Sequence, residues 1–191
     1  MLITFEGIDG AGKSTQLDLL KDEYKDAIFT KEPGGTNLGE KLREILLNDK
    51  ISRVAEMYLF LADRAHHYET LIKTNKNRLI FNDRGFVSGI SYALANKIDL
   101  SLESLLNLNK IAMQNNLGDK FVFFKIDRNS LKNRLSLRSE NDIIEQRGLN
   151  YLMEVQKYME QIFKENNFNV LTINATEKKE KIHKQIKEFI G

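Results

Sequence analysis

Leu2-Ile3-Thr4-Phe5-Glu6-Gly7-Ile8-Asp9-Gly10-Ala11-Gly12-Lys13-Ser14-Thr15 begins as an apolar, β-branched run, breaks into glycines, and ends on Lys-Ser-Thr at the head of an amphipathic segment. It reads as strand, phosphate loop, helix. Gly7, Gly12, Lys13 and Ser14 fit G-x-x-x-x-G-K-[ST], a spacing in which successive backbone N–H groups and a helix N-terminus enclose a polyphosphate. The cradle runs from Gly7 through Ile8, Asp9, Gly10, Ala11 and Gly12 to Thr15. Lys13 is placed to bridge the outer phosphates and Ser14 to ligate Mg²⁺. A chance match to the four fixed positions is on the order of one in a hundred for a chain of this size.

Outward from the loop, Leu17, Leu19, Leu20 and Tyr24 give the following helix an apolar side, and Ala27-Ile28-Phe29-Thr30 has strand character. Lys31-Glu32-Pro33-Gly34-Gly35-Thr36, with the only proline, is a shaped turn before a helical pattern at Leu38, Leu42, Ile45 and Leu46. Val54 to Ile72 reads as a longer helix, Leu79-Ile80-Phe81 as a buried strand, and Phe86 to Ala95 as a further helix. Phe121 to Ile126 and Val170 to Ile173 supply two more strands. Strands alternating with helices predict an α/β fold: a parallel five-stranded sheet, doubly wound, with helices on both faces. Residues 1–191 are expected to form one domain, since no linker, repeat or low-complexity tract divides them.

With 29 basic against 27 acidic side chains there is no global field of the kind that marks nucleic-acid or membrane binders, so phosphate affinity must be local. The absence of cysteine excludes disulfides, thiolate metal sites and a cysteine nucleophile. Three histidines offer no convincing metal set, and the His66-His67 pair reads as surface. No basic leader and no run of about eighteen apolar residues is present, so neither secretion nor a membrane span is expected.

Three further groups bear on chemistry. On a helix turning 100° per residue, Val54, Tyr58, Leu61, Ala65, Tyr68 and Ile72 share one stripe, the natural core face. Phe60, Asp63, Arg64 and His67 share another; they can stack a planar base and read its edge, although the plainer reading is a solvated face. Asp83-Arg84 sits at the carboxyl end of a buried strand, where open α/β sheets bind ligands; Asp83 can hold Mg²⁺ and Arg84 can take a phosphate bidentately. Arg134, Arg138 and Arg147 flank a polar stretch that can close over phosphates as a lid at about residues 134–145, or be a solvated turn. Asn96-Lys97-Ile98-Asp99 fits N-K-x-D, a guanine-reading signature, but follows a helix instead of a strand and reads as coincidence.

Taken together, these segments resemble the thymidylate kinase family of P-loop nucleoside-monophosphate kinases, in its bacterial form. The resemblance rests on Phe5 to Thr15, Lys31 to Thr36, Leu59-Phe60-Leu61-Ala62-Asp63-Arg64-Ala65, and Asp83-Arg84 with Ser88 and Tyr92. It is weaker in the second half, where Ile173-Asn174-Ala175-Thr176 matches the loop beside the donor adenine. The resemblance implies γ-phosphoryl transfer from ATP to dTMP with Mg²⁺, in a cytoplasmic homodimer. It implies that Asp9 takes the 3′-hydroxyl, Phe60 stacks the thymine, Arg64 reads O4, and Arg84 binds the acceptor phosphate with help from Arg43. Asp83 helps place the metal, Glu32 and Pro33 shape the acceptor wall, Tyr92 crowds the 2′ position, and Arg134 and Arg138 match lid positions. Ala93 stands where many bacterial members carry a polar side chain, so base discrimination leans on Arg64. Rival readings are another nucleotide kinase, or a nucleotide switch supported only by Asn96 to Asp99.

Overall fold

The computed structural model describes residues 1–136 and 147–191. Five strands, β1 (Leu2–Glu6), β2 (Ile28–Lys31), β3 (Ile80–Asp83), β4 (Lys120–Lys125) and β5 (Val170–Asn174), form one parallel sheet in the order β2-β3-β1-β4-β5. The expected five-stranded parallel sheet is therefore present. β1 is buried along its whole length, as befits a central strand covered on both faces. The register pairs Phe5 with Asp83, and Asp83 with Lys31. The carboxyl ends of β1, β2 and β3 thus meet at one edge, where Glu32 N–H donates to Asp83 O and Arg84 N–H to Phe5 O.

Ile3, Phe5, Phe81, Val122 and Phe124 fill the sheet interior without exposure. Phe29 stacks on Phe81 at 4.9 Å between centroids, and Phe86 meets Phe121 edge-on at 5.7 Å. Each such ring contributes about 1.5–3 kcal/mol by leaving water. The helices α1 (Lys13–Glu23), α2 (Asn37–Asn48), α3 (Arg53–His67), α4 (Phe86–Ala95), α5 (Leu102–Ala112), α6 (Arg128–Ser136), α7 (Leu149–Glu165) and α8 (Lys179–Ile190) connect the strands. Leu152, Val155, Met159 and Ile162 form the buried stripe of α7, and Ile182, Ile186 and Ile190 that of α8. Thr36 and Ser52 cap α2 and α3, each accepting from the N–H three residues on.

The structure overturns the face assignment of α3. Val54 and Tyr58, expected in the core, are 51% and 58% exposed, whereas Asp63, Arg64 and His67 are buried. The polar stripe faces the converging strand ends, where its charges find protein partners in place of water. After His67 the helix widens into a π turn, Tyr68–Ile72, and then tightens over Lys73–Asn75. Tyr68 and Ile72 reach the core although they share a sequence stripe with Val54; Tyr68 stands one turn after buried Arg64, and Ile72 lies at the end of the π turn. No described helix is long and apolar enough to cross a membrane.

Candidate active site

Between β1 and α1 the loop turns through Gly7, Gly10 and Gly12, with φ of 150°, 81° and 99°. A Cβ on Gly7 would lie 2.9 Å from Phe124 O, so both backbone angle and space demand glycine there. Lys13 is buried and its Nζ donates to Gly7 O at 2.9 Å and Ile8 O at 3.2 Å. Burial, reinforced by the Arg84 charge, lowers its pKa to about 8. The hydrogen bonds of the ammonium go to loop carbonyls, with Asp83, Asp9 and Glu6 near enough to favour its charge, and phosphate oxygens as direct partners would serve it better.

On one flank lies a small cavity of about 70 Å³, lined by Asp9, Glu32, Pro33, Arg43, Phe60, Arg64, Arg84, Ser88 and Tyr92 together with Leu47, Gly85 and Gly89. Residues named from five separate stretches of sequence thus surround one space. Arg84, at φ 68°, donates from Nη1 to Gly7 O at 2.8 Å and from Nη2 to Asp9 Oδ1 at 2.5 Å. Tyr92 donates its hydroxyl to Asp9 Oδ2 at 3.2 Å, and its ring lies 5.8 Å from the Arg84 guanidinium carbon. Burial opposes ionisation of Asp9, but Arg84, Lys13 and these hydrogen bonds outweigh it and hold the carboxyl at about 2. Arg43 donates to Pro33 O at 3.1 Å, tying α2 to the turn after β2. The Ser88 hydroxyl is turned onto Glu6 Oε2, which also accepts the Ser88 N–H at 3.1 Å.

Behind this cavity Glu32 is the hub of a buried network. It accepts from Arg64 Nε at 2.8 Å and from His67 Nδ1 at 2.9 Å, while His67 Nε2 pairs with Thr30 Oγ1 at 2.8 Å. Despite burial, Arg64 and His67 keep Glu32 below the usual carboxylate range. Asp63 accepts from Gly34 N–H at 3.2 Å, and its Oδ2 has no partner among the described residues. Burial and the nearby Glu32 charge push Asp63 up to about 6. His67, expected at the surface, is wholly buried because it joins β2 to this hub.

Ser14 and Asp83 line a separate cavity of about 380 Å³ at the mouth of the loop. Asp83 Oδ1 is buried without a partner among the described residues, and Ser14 is exposed. A hydroxyl and an orphaned carboxylate oxygen beside a phosphate loop fit a hard divalent cation that takes its other ligands from phosphate and water. Among the described residues no cluster of three or more His, Asp or Glu could hold a metal by itself.

On the opposite flank, a cavity of about 420 Å³ is lined by Gly10, Ala11, Gly12, Thr15, Arg134 and Ala175, among others. Arg134 spans it, donating to Gly10 O at 3.0 Å and Ala175 O at 2.5 Å. Arg138, with residues 137–145 of the expected lid, lies outside the described residues. Arg147 does not belong with Arg134. It pairs bidentately with Glu56 of α3, at 3.1 and 2.6 Å, and donates to Asn96 Oδ1 and Tyr151 OH. Asn96 thus belongs to a cluster at the end of α4, which leaves the N-K-x-D match without a nucleotide to read.

Sequence reasoning missed Asn109, Glu6 and Glu56. Glu6 did leave a signal, an acidic residue closing an otherwise apolar strand. Asn109 left none, since Asn107 two positions earlier looks alike yet is exposed whereas Asn109 is 3% exposed.

A phosphate loop at the end of a central parallel strand, with one cavity beside Arg134 and another lined by Arg43, Arg64 and Arg84, fits a P-loop nucleoside-monophosphate kinase architecture. The family model described as thymidylate kinase matches residues 5–186. Relatives named thymidylate kinase include those of Campylobacter hominis, 55% identical, and Campylobacter jejuni strain 81116, 52% identical, each alignment covering 100% of both chains. That of Campylobacter curvus is 50% identical over 100% of this chain and 99% of its own. The chain belongs to the thymidylate kinase family.

Proposed function

We propose that this chain transfers the γ-phosphoryl group of ATP to dTMP, giving dTDP and ADP. Family membership supports the reaction. The observation that carries the assignment of sites is the gathering of one acidic, one aromatic and three basic readers, Asp9, Phe60, Arg43, Arg64 and Arg84, around the acceptor cavity. Phe60 stacks the thymine, Arg64 meets its O4, Asp9 takes the 3′-hydroxyl, and Tyr92 closes the space beside C2′. Glu32 and Pro33 wall the base, and Ser88 sits beside Arg84.

The acceptor is a phosphate monoester with a second pKa near 6, largely dianionic at neutral pH, so no general base is needed. Bringing two anions in line is an electrostatic task. Lys13 moves from loop carbonyls to the donor oxygens, Arg84 exchanges Asp9 for the acceptor phosphate, and Arg134 covers the loop from the donor side; Arg138 is proposed to join it. Mg²⁺, held by Ser14 and Asp83, would neutralise charge on the donor oxygens. Self-association through the exposed Val54 and Tyr58 stripe and a place in the cytoplasm belong to the same reading.

A coupled assay with each common nucleoside monophosphate tests it. One ADP and one dTDP per dTMP, with other acceptors at least tenfold poorer in kcat/KM, is expected for a site built on specific hydrogen bonds. No turnover of dTMP, or equal use of all acceptors, would overturn it.

A further inference from the structure

We infer that Asn109, which does not line the acceptor cavity, sets base selectivity by fixing how many hydrogen-bond donors Arg64 has left to offer. This rests on reading that cavity as the pyrimidine site. A guanidinium carries five N–H donors and no acceptor. Arg64 spends one from Nε on Glu32 Oε2 at 2.8 Å, one from Nη1 on Asn109 Oδ1 at 2.8 Å, and one from Nη2 on Gly85 O at 2.9 Å. Two remain among the described residues, one on each terminal nitrogen. At 2% exposure, Arg64 is shielded from bulk solvent.

Asn109 is held for this task. Its Nδ2 donates to Leu105 O at 2.8 Å within α5, which turns its oxygen toward Nη1. A Cβ on residue 89 would lie 3.0 and 3.1 Å from Nη1 and Nη2, so glycine there is what lets α4 pack this closely on the guanidinium, and both residues line the cavity. Two unspent donors and no acceptor suit the 4-oxo edge of thymine or uracil, whose oxygen accepts. They oppose the 4-amino edge of cytosine, whose hydrogens would face N–H hydrogens in a dry site. Without Asn109 the guanidinium loses one of three anchors and gains a third unspent donor, so its orientation toward the base relaxes.

The test compares kcat/KM for dTMP, dUMP and dCMP in wild type, Asn109→Leu, Asn109→Ala and Asn109→Asp, with KM for ATP and the thermal midpoint alongside. Either apolar variant that folds should lose about tenfold in the dTMP-to-dCMP ratio through KM for dTMP, with KM for ATP unchanged. Asn109→Asp keeps an oxygen facing Nη1 and should hold the ratio within about twofold. A folded apolar variant with the wild-type ratio would overturn the inference, as would equal losses on all three substrates in the Asp and apolar variants alike. A wild-type enzyme indifferent to dTMP and dCMP would instead overturn the function on which it rests.

Discussion

Lys13 donates to two loop carbonyls, and burial outweighs the nearby Asp83, Asp9 and Glu6 carboxylates to draw its pKa down to about 8, so its charge is under-satisfied until phosphate oxygens reach it. An interaction that strengthens as charge migrates between donor and acceptor acts on the transition state. Lys13→Ala should keep the thermal midpoint within a few degrees while turnover drops by roughly a hundredfold or more. Near-normal dTDP formation by the folded variant would remove the loop lysine from the mechanism. Tyr92 divides its work between hydroxyl and ring. Tyr92→Phe loses the bond to Asp9 but keeps the ring, and should retain the preference for deoxyribose. Tyr92→Ala opens the space and should raise the relative kcat/KM for the ribose analogue of dTMP. An unchanged deoxy-to-ribo ratio in the Ala variant would make Tyr92 a packing residue.

α3 inverts the usual relation between polarity and burial, and its mutational profile should invert too. His67→Ala strips a partner from both Glu32 and Thr30 inside the protein, at a cost of about 1–3 kcal/mol. Tyr58→Ala, at an exposed position, should change the stability of the monomer by no more than about 0.5 kcal/mol. Urea unfolding at dilute concentration measures both. Equal losses would mean that the apolar stripe is part of the monomer core after all.

Across the whole molecule, the strand ends bring together carboxylates with opposite acid responses. Asp63, at about 6 when folded against an ordinary 3.8, binds a proton in the native state before the unfolded chain does. Its contribution is therefore fully present below about 3.8 and lost as pH rises through 6. Glu6, raised by burial, acts in the same direction, whereas the depressed Asp9 and Glu32 weaken the fold only in stronger acid. Going from pH 7 to pH 5 should thus raise unfolding free energy through Asp63 by about 1–2 kcal/mol, and Asp63→Asn should abolish that part of the gain. Identical pH slopes for the two proteins would show that Asp63 does not titrate in this window.

The strand, loop and first helix were legible because glycine spacing and β-branched runs are local constraints, satisfied or violated within a few residues. The five strands and their parallel winding followed from the same short-range pattern. Only tertiary structure decided which face of α3 is inside, because a buried charge is tolerated where Glu32, Asn109 and Gly85 O await it, and those partners lie far away in sequence. For the same reason Arg147 could not be separated from Arg134 by spacing, nor Asn109 from Asn107. Local periodicity records what each residue prefers next to water, whereas the site is built from polar groups whose partners are supplied by strands and helices that the fold alone brings together.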